Sequence, residues 1–250
     1  MNSGLYAALT GNINAMKRLD IVSNNLANAT TAGFKKDRLT FESVLKSANG
    51  AAQSPAGGDG IPVFSGDRFY TDFTPGPLQQ TGNALDLALE GDGFFAVTTP
   101  QGEAYTRQGN FHMDNTGRLM SADGYPLNPE IIIPNNATKI TVGSDGTVSA
   151  YLPGESTPTT VGTLQVVDFP KPYALQKIGS ALFVPTDPQV KPQPVTETTI
   201  SQGTIEGSNV SVMSEMVQLI EANRYFEACS KVVKSFDDMA AKAANDLGKV

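Results

Sequence analysis

One cysteine and one histidine in 250 residues leave little for thiol or transition-metal chemistry. A lone Cys229 cannot form a disulfide within the chain, and its place on an apolar helix seam reads as packing, not reactivity. His112 and Cys229 make a dyad on paper, but no third group orients them. The usual set of imidazoles and thiolates for a metal is missing, so no catalytic residue, cofactor or metal ligand is expected. Basic charge is also short: 18 Lys+Arg stand against 25 Asp+Glu, for a net charge of −7 and a pI near 4.7. Nucleic-acid binding needs the opposite balance. The first basic residues, Lys17 and Arg18, are not followed by an apolar stretch with a small-residue cleavage site, so no signal peptide is expected. No apolar run reaches the length of a membrane span, which argues against direct membrane insertion.

Proline is missing from the first 54 residues and the last 56; all 16 prolines fall between Pro55 and Pro194. Because proline is expelled from helix interiors, this distribution implies two helical ends around a non-helical middle. Within the last end, Leu219, Ala222, Phe226, Cys229, Val233, Phe236, Ala240, Ala243 and Leu247 repeat every three or four residues, the seam of a helix that packs lengthwise on others. No Gly or Pro interrupts 210–247, which predicts a helix roughly 50 Å long. Tyr225, Val232 and Met239, seven apart, form a second stripe. Two stripes need more than one neighbour, and the chain offers one other long helix, so further partners come from other molecules.

That other helix spans about 3–27, with Leu5, Leu9, Ile13, Met16, Leu19, Val22 and Leu26 as its apolar row. Its opposite face carries the small residues Ala7, Gly11, Asn12 and Asn14, which permits close approach by a second helix. The helix should stop near Asn28, where Asn24, Asn25 and Asn28 tolerate left-handed backbone and Gly33 supplies it, turning the chain to present Phe34 and Lys35. Residues 46–66 are small, polar and glycine-rich, and read as a connector.

Between about Asp72 and Thr199 the period changes to two. Strand candidates are 94–97, 104–107, 131–133, 139–142, 147–150, 162–167 and 181–184, separated by glycine-bearing turn signals such as Asn115-Thr116-Gly117 and the pairs Asp123-Gly124 and Asp145-Gly146, which predicts an all-β, mainly antiparallel module. Those pairs lack the ligand spacing of a calcium loop and read as type I′ hairpin turns. Gly91-Asp92-Gly93 lacks the Lys-Ser/Thr of a phosphate loop. The carboxylate pairs Asp86/Glu90 and Asp237/Asp238 read as solvated faces. The expected fold is therefore α+β and multi-domain: an N-terminal helix (1–30), a connector (31–71), a β-rich module (72–205) and a C-terminal helix (206–250), with the two helices paired as a coiled-coil stem.

Several ordered stretches carry a resemblance. They are Ser23-Asn24-Asn25-Leu26-Ala27-Asn28 with Gly33-Phe34-Lys35; Gly76-Pro77-Leu78-Gln79-Gln80-Thr81-Gly82-Asn83; Leu85 through Phe95; Tyr105-Thr106-Arg107-Gln108-Gly109-Asn110-Phe111; and Ile220-Glu221-Ala222-Asn223-Arg224-Tyr225-Phe226. Together they resemble the flagellar basal-body rod and hook family. The resemblance implies a structural, non-enzymatic subunit whose terminal helices form the inner core of a helical tube, with Leu5, Leu9, Met16, Leu19, Leu26, Leu219, Phe226, Val233, Phe236 and Leu247 on the assembling surfaces. It implies partners in other copies of the chain, other rod proteins and the flagellar type III export apparatus, and a place in the periplasmic rod reached without a cleaved signal peptide. Length and the glycine-rich connector look most like the proximal-rod branch, with the distal-rod branch second. A β-module hydrolase with oligomerising helices is the alternative from another class.

Overall fold

The computed structural model describes residues 2–41, 67–154, 157–179, 181–195 and 197–247; the predicted connector at 46–66 lies outside them. Two helices bracket an antiparallel β-rich middle, so the chain is α+β. Helix α1 runs Asn2–Ala27 and helix α2 Val212–Leu247. The chain divides into two compact units.

The first unit holds α1 up to Asn25, α2 from Met213, and an antiparallel pair of strands, Asp37–Phe41 with Asp67–Thr71. Contacts between the helices run in opposite senses. Gly4 faces the ring of Phe236 and Gly11 faces Cys229 and Tyr225. Asn12 Nδ2 donates to Ser230 Oγ at 3.4 Å, Arg18 pairs with Glu221 at 3.6 Å, and Asn25 Nδ2 donates to Glu215 Oε2 at 3.3 Å. Positions rise on α1 as they fall on α2, so the two are antiparallel.

The second unit comprises residues 26–36 and 73–212. Its main sheet has six strands in the order Leu175–Ile178, Leu182–Pro185, Gly102–Thr106, Phe94–Thr99, Val166–Asp168, Gln193–Pro194. Pro194 sits on the edge strand, where a missing N–H costs no ladder bond. A three-stranded sheet orders Thr159–Thr163, Thr147–Tyr151, Lys139–Val142. Phe94 and Phe95, neighbours in sequence, point to opposite faces. Phe95 enters a cluster with Leu87, Phe111, Ile131 and Val148, while Phe94 joins Tyr105, Phe169 and Phe183. Both faces of that strand are covered, which is why it reads as a continuous apolar run.

Several expectations change. The run 131–133 is not a strand: Ile132 makes one bridge to Arg118, with Ile131 and Ile133 buried on either side. The run 162–167 breaks at Leu164, whose N–H donates to Gly146 O. Asp86 is not on a solvated face; it is buried and accepts from Asn83 Nδ2 at 3.0 Å.

The hairpins at 114–118, 121–125 and 143–147 are not two-residue I′ turns. In each, a residue-i carbonyl accepts from the i+3 glycine N–H, and that glycine (Gly117, Gly124 or Gly146) has φ of 80–85°. This is the three-residue loop of a turn followed by one left-handed residue. Asp114 reinforces the first, its carboxylate accepting from Thr116 Oγ1 and the Thr116 and Arg118 amides. Those bonds, the Thr116 hydroxyl first, hold its pKa well below the usual carboxylate range. A depressed folded pKa stabilises above the unfolded value and is lost as pH falls through the folded one. The thermal midpoint of Asp114→Ala should therefore lie below that of the parent at neutral pH. The gap should narrow in strong acid, and a pH-independent gap would contradict this account.

Candidate assembly surface

Helix α1 is apolar on both sides, and the two sides differ in size. Ala8, Gly11, Ala15, Val22 and Asn25 are buried, three or four apart for the most part, on the face that meets α2. Small side chains there let the helices approach: a Cβ on Gly11 would lie 3.0 Å from Cys229 Sγ, and one on Gly4 2.9 Å from Phe236 Cζ. The large residues face the other way, with Tyr6, Leu9, Ile13 and Met16 all about half exposed or more. The expected apolar row is thus split. Leu9 and Met16 are exposed, Leu5, Leu19 and Leu26 are half-buried, and only Val22 is fully covered.

On α2 the predicted seam does lie on the covered side. Ala222 is buried, and Leu219, Phe226, Cys229, Val233 and Phe236 are half-buried. Ala240 is exposed, and the side chains of Ala243 and Leu247 lie outside the described residues. Met213, Met216, Val217 and Ile220 are exposed on the opposite face, with Tyr225, Val232 and Met239 as a flanking stripe. Tyr225 is not wholly free, since its hydroxyl comes within 3.1 Å of where a Gly11 Cβ would stand. Partial burial, then Cys229, raises its pKa.

The asparagine-rich end of α1 has a definite job. Asn25 is buried; its Oδ1 accepts from Asp37 N at 3.0 Å while its Nδ2 donates to Asp37 O at 2.9 Å, imitating a strand partner for the first residue of Asp37–Phe41. Asn24 is exposed, and Asn28 Oδ1 accepts from Thr31 Oγ1. Gly33 takes φ of +66°, as the turn requires.

Phe34 and Lys35, just past this turn, are not presented to solvent. Phe34 is fully buried and Lys35 is 1% exposed. Lys35 Nζ reaches Glu206 Oε1 at 2.5 Å and Thr74 O at 2.9 Å, and Arg107 Nη1 meets the other Glu206 oxygen at 3.3 Å. The Lys177 ammonium lies 4.3 Å above the Phe34 ring and donates to Lys35 O. Lys35 therefore serves the interior of the β-rich unit. Glu206 and Arg107, its partners, carry no signature in a single sequence that would pair them with it across such separations.

His112 is exposed on the strand His112–Met113 of the second unit, while Cys229 belongs to the first. Among the described residues no group of three or more His, Cys, Asp or Glu is placed to hold a metal ion, and no helix is long and apolar enough to cross a membrane.

Comparison with known proteins matches three family profiles: "Flagella basal body rod protein" over residues 5–35, "Flagellar hook protein FlgE/F/G D1 domain" over 88–150 and "Flagellar basal body rod FlgEFG protein C-terminal" over 201–247. The flagellar basal-body rod protein FlgG of Bacillus subtilis is 35% identical over 98% of this chain and 99% of its own length. FlgG of Buchnera aphidicola from Acyrthosiphon pisum is 35% identical over 97% and 98%. The flagellar basal-body rod protein FlgF of Caulobacter vibrioides is 34% identical over the whole of both chains. Identity at this level along the full length, joined to profiles at both helical ends and the β-rich middle, places the chain in the flagellar basal-body rod protein family.

Proposed function

We propose that this chain is a structural subunit of the rod and assembles through the large apolar residues that its own helix pair leaves uncovered. The observation that carries this reading is the two-sidedness of both helices: one face of each is used within the chain, and the other still displays Leu9, Ile13 and Met16 on α1 and Met216, Val217 and Ile220 on α2. Exposed apolar surface of this extent and regularity marks an interaction site. Stacking copies and related rod proteins on those faces, with contacts that do not close into a ring, yields a helical segment. In the completed rod the helices form a coiled-coil inner core, residues 72–205 an outer module and residues 31–71 the connection. The subunit passes out through the flagellar export apparatus to the periplasmic rod, where its work is mechanical.

Within the family we favour the FlgF-like, proximal position. The alignment to the Caulobacter FlgF has 254 positions for all 250 residues of the chain, so it opens only four gap positions in it. The alignment to the Buchnera FlgG spreads 262 positions over 97% of the chain and must open gaps in it.

The test is Ile13→Asp and Ile220→Asp, each at a site about half exposed. Each purified chain should keep its unfolding midpoint, with stability within about 0.5 kcal/mol of the parent. Neither should enter basal bodies in cells whose own copy is deleted, and normal rods built from both variants would sink the proposal.

A further inference from the structure

The stretch Thr199 to Asn209 closes the β-rich unit. Its first strand, Thr199–Gln202, pairs with Leu87–Glu90, and its second, Thr204–Glu206, with Leu78–Gln80. Between them the Gln202 side chain donates to Ala84 O at 2.8 Å and Ile140 O at 3.1 Å, and accepts from Val142 N at 3.2 Å. Glu206 ends the second strand and is 1% exposed. One of its carboxylate oxygens accepts from Lys35 Nζ and from Gly76 N at 2.8 Å, the other from Arg107; its backbone carbonyl accepts from Gly33 N at 2.8 Å. Asn209 adds a second layer. Its Oδ1 accepts from Lys36 N at 2.7 Å, its Nδ2 donates to Thr74 O at 3.1 Å and its N–H to Phe34 O at 3.3 Å.

The chain enters this unit at Leu26, leaves it after Lys36, returns at Phe73 and leaves again after Val212. The last three of these four crossings lie within a few residues of a group that Glu206 or Asn209 holds. One carboxylate balances two buried cations, so its removal strands both without compensation, a far larger loss than the pairing alone is worth. No strand of the six-stranded sheet belongs to this stretch, and the Phe94–Tyr105–Phe169–Phe183 cluster contains none of its residues; Ile200 alone enters the cluster of Phe95 and Val166 on the sheet's other face.

We infer that Thr199–Asn209 is a clasp, closed by Glu206, which ties three of the four crossings of the β-rich unit to one another and opens as one piece while the six-stranded sheet stays folded. Free energy of opening differs from part to part of a protein in such contiguous units. The clasp rests on contacts within the β-rich unit and stands apart from the proposed assembly.

Amide hydrogen exchange on full-length E206Q and N209A tests it. Opening the clasp should speed exchange at Gly33, Lys36, Gly76 and Thr204–Glu206 by about tenfold or more, with Ala96, Val97 and Ala104 in the sheet unchanged. Unaltered exchange at the crossings would overturn the clasp, and so would an equal acceleration in the sheet. If E206Q does not fold, N209A decides by the same two criteria, because it leaves every buried charge paired.

Discussion

Gly33→Ala should be among the most damaging single-methyl changes in this chain, lowering stability by about 3 kcal/mol or more. Two costs combine. The backbone there has φ of +66°, a conformation in which a residue with a side chain is strained by about 1–3 kcal/mol. The added Cβ would also lie 2.4 Å from both Arg107 C and Gln108 N. Those are backbone atoms with little freedom to retreat, because Arg107 is held by Glu206 on one side and by Gly91 O on the other. Overpacking against such a wall costs about 1–3 kcal/mol more. Gly82→Ala separates the terms: its φ is +75°, yet nothing stands within 4 Å of its Cβ position. Denaturant titration should show Gly82→Ala losing about 1 kcal/mol and Gly33→Ala several times that. Equal losses would mean that the close passage over Arg107 and Gln108 carries no cost.

Phe226→Asp should abolish motility by a route distinct from that of the exposed-face variants. Phe226 lies on the half-buried side of α2, on the same face as Phe236, which meets Gly4 of α1. Losing its ring removes about 2–3 kcal/mol of apolar burial, and the new carboxylate must be partly desolvated at the same site. Together these are enough to separate two helices that need each other, since isolated helices are marginal in water. Circular dichroism should show helical signal lost with the β signal retained, and cells carrying this copy alone should not swim. Ile13→Asp should leave both signals intact and still block assembly. A chain with Phe226→Asp that kept its helical signal and built rods would show that the inner face is dispensable.

The two helices are legible in the sequence because proline marks where they cannot be and apolar period marks where they are. Lys139–Val142 and Phe94–Thr99 are legible from branched and aromatic runs bounded by glycine. Leu87–Glu90 is not, because Leu-Ala-Leu-Glu has the local preference of a helix and is made a strand by pairing with Thr199–Gln202 far along the chain. The inner face of α1 is hidden for another reason. A hydropathy pattern ranks Leu9, Ile13 and Met16 above Ala8, Gly11 and Ala15, whereas close helix approach selects for small volume. Lysine is rarely buried, so Lys35 reads as a displayed residue. Only the fold brings Glu206 to it, across 171 positions of sequence.

The three left-handed glycine loops have a bearing on how the β-rich unit ages. Asn115, Asp123 and Asp145 stand in those loops, and two of them directly precede a glycine, the local sequence at which succinimide formation is least hindered by a following side chain. In Asp145 the carboxylate is occupied with the Thr147 hydroxyl and amide, which keeps it from turning back on the next nitrogen. The same bonds that shape the turn therefore also slow its chemical wear.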